Sequence, residues 1–428
     1  MPITVSDVSR PLPPFERPPS QDRRPSRYVK ALVALMAAGV IAGCASSHDS
    51  SSLTPQGRSH QNISGALPAT SPSPVPADQA GCTTNAGSAH CGAKKNPQVN
   101  PSNTYSAGLT PAQLRAAYGL PAAIGTGTPS GPVIAVVDAF DDPNAERDLG
   151  TYRTQFALPA CTAKNGCFQT VQLKPAPGSA GPPPAPPGTN ADATTWADEI
   201  ALDLAMASAA CPNCRLLLVE AAGQDLDSLA SAVNAAASYN PAAISNSWGV
   251  PEGGGNVPNI DPGAQAAFNH PGIAITASAG ELGTGQVQFP ASSPFVTSVG
   301  GTTLTQDGST RGWSETAWTS TGTGCSIMFN VPSWQPPGSC TGRSVPDVSF
   351  VGDYNTGVAV YSSAQKGWVV LGGTSVGAPF VAGLYAQAAD YGALTTGASN
   401  LYANLSNLNV VAGAAGQTNG SPNGLAGF

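Results

Sequence analysis

From residue 133 onward, short apolar runs alternate with longer segments whose apolar residues recur at helical spacing. Val133 to Val137, Arg215 to Val219, Ala243 to Ser247, Ile273 to Ala277 and Phe295 to Val299 read as strands. Thr195 to Ala207, Asp225 to Ala237 and Asp261 to Phe268 read as helices between them. The strand runs are nearly all apolar, where a half-exposed strand would alternate with polar residues, so both faces of the sheet are covered. Strands that alternate with helices predict an α/β fold with a mostly parallel central sheet and helices on both faces. One domain, 105–428, holds all of these elements. The stretch 44–104, rich in Ser, Pro, Gly and Asn, has little to bury and predicts a flexible tether with one small looped element at Cys82 to Cys91. Pro182 to Pro187 fall in an insertion before Trp196, predicted as an exposed loop.

The amino terminus bears on location. Arg23, Arg24, Arg27 and Lys30 precede a mostly apolar run from Ala31 to Gly43, which is shorter than the roughly 20 residues a membrane-spanning helix needs. Its ending, Ile41-Ala42-Gly43-Cys44, resembles a bacterial lipobox. The expectation is a lipoprotein-type signal peptide over 1–43, with cleavage before Cys44 and a lipid anchor on its sulfur. An ordinary secretory signal cleaved nearby and a buried helix are the alternatives; either kind of signal places the mature chain outside the cytoplasm, anchored or secreted. The other cysteines fall into neighbouring pairs, Cys82 with Cys91, Cys161 with Cys167, Cys211 with Cys214 and Cys325 with Cys340. Bridges within those pairs suit an oxidising compartment. Cys211 and Cys214 also allow a redox-active or zinc-binding reading. Charge narrows the partners: from Pro101 to Phe428 there are 20 acidic and 9 basic residues, a formal difference of 9 − 20 = −11. With no basic stripe, a nucleic-acid partner is not expected.

Candidate chemistry gathers at Ser375, in the small-residue turn Gly372-Gly373-Thr374-Ser375-Val376-Gly377 between a Trp-Val-Val-Leu strand and the apolar run Phe380 to Ala388. A strand-turn-helix element of this kind presents a nucleophilic hydroxyl, which then needs a base. Histidine is poorly placed to be that base: His48, His60 and His90 lie in polar sequence and His270 leads into a strand. Glu199 and Asp203, four apart on one helix face, supply carboxylates instead. Two acids held together share protons, which raises an apparent pKa and suits acidic conditions. Taken alone, the pair also fits a solvated acidic helix edge. Asp138 ends the Val133 to Val137 strand on the edge where α/β active sites form, and is expected to shape the site or its loop. Asp141 and Asp142 follow it as an acidic pair, but adjacency alone builds no metal cage.

Three ordered motifs carry a family resemblance. Gly108-Leu109-Thr110-Pro111-Ala112-Gln113-Leu114-Arg115-Ala116-Ala117-Tyr118-Gly119, then Pro346-Asp347-Val348-Ser349, then Gly373-Thr374-Ser375 resemble segments of the sedolisins, serine-carboxyl peptidases with a subtilisin-like fold. The resemblance implies Ser375 as nucleophile, Glu199 as general base and acid, and Asp203 as the residue orienting Glu199. It also implies an acid after Ser278-Ala279-Gly280, where the family pattern has aspartate and this chain has Glu281. A neutral carboxyl there donates to the developing oxyanion. The expected function is an exported serine-carboxyl peptidase, an endopeptidase or one of tripeptidyl-peptidase type, that acts on polypeptides through an acyl-enzyme in acidic conditions. The alternative is an inactive exported scaffold or peptide-binding protein. Substrate strands are expected along Ser245 to Gly249 and Ser278 to Gly280, with Trp248 either lining a subsite or packing in the core. No cofactor is expected. The family's calcium site is expected to be absent, because no Asp or Glu follows Asp390. The stretch 44–104 is too short and polar for the large folded propeptide typical of sedolisins.

Overall fold

The computed structural model describes residues 88–122, 127–174, 191–252, 260–336, 338, 340–388, 397–411 and 426–427. The predicted signal peptide, Cys44, Cys82 and the proline-rich run at 182–187 lie outside the described residues. All described residues belong to one compact unit, Val75–Phe428.

Seven parallel strands form the centre of a ten-stranded sheet. In chain order they are β1 (Val133–Ala139), β2 (Phe168–Gln172), β3 (Arg215–Ala221), β4 (Ala243–Asn246), β5 (Ala274–Ser278), β6 (Thr297–Gln306) and β7 (Val348–Val351). Their spatial order is β7-β6-β5-β4-β1-β3-β2, every neighbouring pair parallel. Parallel neighbours need a crossover. The main ones are the helices α1 (Ala145–Gln155), α2 (Ala191–Ala210) and α3 (Leu226–Ser238). A last helix, α4 (Gly377–Gln387), follows Ser375.

Side-chain parity decides what each face holds. Ile134 and Val136 of β1 and Leu216 and Leu218 of β3 point to one side, into a core shared with Ile200, Leu204 and Met206 of α2 and Phe380 and Val381 of α4. Their neighbours Ala135, Val137, Leu217 and Val219 point the other way and are equally buried, on the side where α3 packs. Unbroken apolar runs follow from this double burial. Asp138 and Glu220 continue the first parity, so both carboxylates turn toward α2. That geometry places the site.

The helix α2 is buried from Trp196 to Ala210 on every side, as expected of a helix enclosed by the fold. It meets α4 through small residues: a Cβ at Gly383 would collide with the Ala210 side chain. Its carboxyl end is fixed by the Cys211–Cys214 disulfide, which closes the turn into β3. Cys161–Cys167 and Cys325–Cys340 are also bonded, as neighbour pairing predicts. Cys91 is disulfide-bonded as well. The zinc reading of Cys211 and Cys214 with Cys161 and Cys167 is therefore overturned: all four sulfurs are taken up in disulfides.

Two strand predictions need revision. The strand expected at Phe295 to Val299 runs from Thr297 to Gln306, because its polar second half pairs antiparallel with Trp313–Ala317. Phe168–Gln172 went unpredicted; it is an edge strand with one polar, partly exposed face and no apolar run. Ser88 to Thr104, inside the stretch read as tether, are described and include the short strands His90–Cys91 and Lys94–Lys95. Among the described residues, no helix is long and apolar enough to cross a membrane.

Candidate active site

Ser375 occupies a single 3-10 turn, Thr374–Val376, between the strand Gly367–Gly372 and α4. The preceding Gly373 has φ 108°, a left-handed value that disfavours any side chain, and backbone crowds the place a Cβ would take. The turn holds Ser375 fully buried, with its hydroxyl donating to the Ser247 carbonyl at 3.4 Å.

Glu199 and Asp203, one helical turn apart on α2, are both completely buried. The solvated-edge reading of this pair is thereby excluded. Glu199 Oε2 accepts the Ala93 N–H at 2.7 Å, and the Ser375 hydroxyl lies close enough to lower the Glu199 pKa. Glu199 Oε1, both Asp203 oxygens and both Asp138 oxygens make no hydrogen bond. Burial raises all three pKa values, and repulsion from Asp138 adds to those of Glu199 and Asp203. Asp138 itself is pushed up to about 8 by burial. Three acids this close titrate as a set, so protons are shared among them.

Glu281 lies on the other side of Ser375. Its Oε1 accepts the Thr374 N–H at 2.8 Å and the Thr374 hydroxyl, which in turn accepts the Gly280 N–H at 3.0 Å. Burial raises its pKa, opposed first by the Lys94 charge. The structure thus brings Ser375, Glu199, Asp203, Asp138 and Glu281 to one place.

Glu220 escaped the sequence reading. Burial raises it to about 8, and it accepts the Asp142 N–H at 2.8 Å, while Asp142 is raised to about 7. Strand parity was the available signal, since 216, 218 and 220 share a face. Asp198, beside Glu199, was also passed over; buried, it accepts from Ser362 Oγ at 2.5 Å and Gln365 Nε2 at 2.6 Å. Trp248 lines no subsite with its ring. The indole is fully buried, donates to the Val137 carbonyl at 3.0 Å and packs against Phe268, so the core-packing alternative holds.

The cleft edge expected at Ser245 to Gly249 is paired with the chain's own amino-terminal segment. His90 lies opposite Gly249 and Cys91 opposite Trp248, antiparallel. Beyond Gly92 and Ala93 the segment pairs again, Lys94 opposite Gly372 and Lys95 opposite Leu371 on the strand leading to Ser375. Gly92 spans the gap between the two pairings. A Cβ there would collide with Ser375 Oγ and lie 2.6 Å from Glu281 Oε1.

No group of three or more His, Cys, Asp or Glu among the described residues is arranged to hold a metal ion.

Comparison with known proteins bears on the same residues. The subtilase family model matches residues 188–399, which include Glu199, Asp203, Glu281 and Ser375. Kumamolisin of Bacillus sp. (strain MN-32) is 33% identical over 222 residues, 44% of this chain and 39% of the relative. Sedolisin of Pseudomonas sp. (strain 101) is 36% identical over 137 residues, 29% of this chain and 23% of the relative. The chain thus spans less than half the length of these curated relatives. The solved structure of Pseudomonas sedolisin, complexed with two molecules of pseudo-iodotyrostatin, matches 76% of this chain and 93% of its own with a TM-score of 0.60 at 24% identity, a likeness in fold. With a buried serine beside paired helical carboxylates on a parallel sheet, the chain has a subtilisin-like fold and is similar in sequence to kumamolisin and sedolisin over part of its length.

Proposed function

We propose that this chain is a serine-carboxyl endopeptidase that hydrolyses polypeptides through an acyl-enzyme. The observation that carries the reading is one contact: a backbone N–H, that of Ala93, bonds Glu199 Oε2 at 2.7 Å while the preceding residue abuts Ser375 Oγ. A general acid must reach the leaving amine of a peptide at that point. In the proposed cycle Ser375 Oγ attacks the substrate carbonyl carbon as Glu199 takes its proton. The C–N bond then breaks and Glu199 returns the proton to the amine. Water, deprotonated by Glu199, releases the acyl group.

Asp203 and Asp138 keep Glu199 usable. When a buried set of acids carries one negative charge, its remaining protons can bond the charged member, and Glu199 already receives the Ala93 N–H. Protonated Glu281 donates to the oxyanion through the carboxyl oxygen not engaged by Thr374. A donor that must stay neutral gives a reaction favoured in acid, and the deficit of basic side chains limits positive self-repulsion there. The exported, extracytoplasmic setting, with anchoring through lipidated Cys44 or secretion, belongs to the same proposal. It is supported by the basic and apolar leader and by the bonded cysteines. Digestion of a denatured protein by the purified chain, beside Ser375→Ala, tests the activity; loss of at least about a thousandfold is expected for the variant.

A further inference from the structure

Behind the catalytic acids stands a carboxyl group that the proposed cycle does not use. Asp138 on β1 and Glu220 on β3 are register partners on neighbouring parallel strands, about 4.8 Å apart, and turn to one face of the sheet. Glu220 is 1% exposed and Asp138 0%, so water satisfies neither. Glu220 Oε1 accepts the Asp142 N–H at 2.8 Å, which fixes the carboxyl and leaves Oε2 to carry a proton. Both Asp138 oxygens lack a donor. Two charged carboxylates so placed would repel, whereas a proton on Glu220 supplies Asp138 with the donor it lacks. The charges that act on Glu220 come from Asp141 and Asp142, in the loop after β1, and from Asp138. Its register partner on β2 is the uncharged Gln172, and α3 covers the opposite face of β3. On α2, Glu199 and Asp203 feel Asp138, while Asp198 and, from α1, Asp148 act on Asp142. The cationic charges of Lys95 and Arg147 act on Asp198 and Asp148. Burial raises Glu220 to about 8, which keeps it neutral throughout the acid range.

We infer that neutral Glu220 is a positioning residue of the peptidase, the first donor of a row that runs through Asp138 to the Glu199–Asp203 pair and keeps the negative charge on Glu199. The inference rests on the peptidase reading above. A neutral carboxyl donates from one oxygen and accepts on the other, so a donor behind Asp138 directs the Asp138 proton forward, toward α2. Protons then rest on Glu220, Asp138 and Asp203, and the single charge falls on Glu199, the group that must take the Ser375 proton. Hydrogen bonds in such a row strengthen one another in a buried setting. Removing the first donor weakens the rest, so Glu199 holds a proton more tightly and is a base over a narrower acid range. Glu220 touches no reacting atom and acts only through Asp138.

Three full-length proteins test this: wild type, Glu220→Leu and Glu220→Gln, each assayed for kcat on a denatured protein from about pH 2 to 7. Glu220→Leu has no donor, so the acid limb of its profile, where Glu199 gains a proton, should move up by about one pH unit. The rate should fall about tenfold below that limb and change little above it. Glu220→Gln keeps an N–H donor for Asp138 and an oxygen for the Asp142 N–H, and should return the limb toward its wild-type position. A second measurement does not depend on the Leu variant folding. The infrared difference between wild type and Glu220→Gln at about pH 5 should show a protonated carboxyl band that the variant loses, and its absence overturns the inference. A limb that stays in place in Glu220→Leu, or a loss that is equal at every pH, reduces Glu220 to packing and overturns it too. So does a limb that moves as far in Glu220→Gln as in Glu220→Leu. Each of these leaves the peptidase reading standing, whereas no digestion by wild type at any pH removes that reading and the inference with it.

Discussion

Glu281 is the residue at which this chain departs from the aspartate expected by its resemblance, and its contacts explain how a longer acid is accommodated. The extra methylene is taken up by Thr374, whose N–H and hydroxyl both hold Glu281 Oε1 at the turn that carries Ser375. Replacing Glu281 with Ala should cost about 3 kcal/mol of transition-state stabilisation, on the order of a hundredfold in kcat. Glu281→Gln keeps a donor and should retain partial activity that no longer declines with rising pH as the wild type's does. Steady-state kinetics on folded variants checks both, and equal activity in wild type and Glu281→Ala would remove the residue from the reaction. The carboxylates differed in how openly the sequence displayed them. Glu199 and Asp203 were visible as an i, i+4 pair and Ser375 by its turn, whereas Asp138 was read only as shaping the site. Its approach to α2 depends on strand parity and on the crossover that brings α2 over β1, which is long-range information. Glu220 was missed for the same reason.

Elements were recovered where their burial is extreme. Strands covered on both faces announce themselves as apolar runs, and α2, enclosed by the fold, is almost wholly apolar except for its acids. Phe168–Gln172 at the sheet edge and the short strands of the amino-terminal segment were not recovered, since what orders them is pairing with a distant partner rather than their own composition. Two element-scale outcomes follow. Reduction or Cys211→Ala/Cys214→Ala should lower stability by about 2 kcal/mol, the loop-closure value for so short a bridge, measured by denaturant unfolding. Arg343→Ala should cost more, about 3 to 5 kcal/mol, because it leaves the fully buried Asp347 carboxylate, now paired at 2.5 Å, without its countercharge. The same unfolding assay ranks the two, and a smaller loss for Arg343→Ala would contradict this assignment.

Across the whole molecule, the gathering of buried acids on one side of the sheet gives stability a definite pH dependence. Asp138 and Glu220 are raised to about 8, Asp142 to about 7 and Asp198 to about 6. An unfolded chain ionises its carboxylates near the ordinary value of about 4, so between there and about pH 8 the folded protein binds more protons than the unfolded one. Their contribution to stability is therefore complete in acid, below about pH 4, and is lost progressively as pH rises from there through the folded values of about 6 to 8. Calorimetric Tm should fall over that window, and Asp138→Asn should flatten the fall by removing one raised group. A Tm that climbs steadily from about pH 4 to 8 would contradict the buried-acid account.

The central claim is that Ser375, with Glu199 as its base, cuts peptide bonds. Its most direct test is digestion of a denatured protein across about pH 3 to 7 by the purified chain, with Ser375→Ala and Glu199→Gln measured beside it. The account predicts cleavage that is strongest on the acid side and reduced at least about a thousandfold in both variants while their folding is preserved. Cleavage that persists undiminished in Ser375→Ala would contradict it.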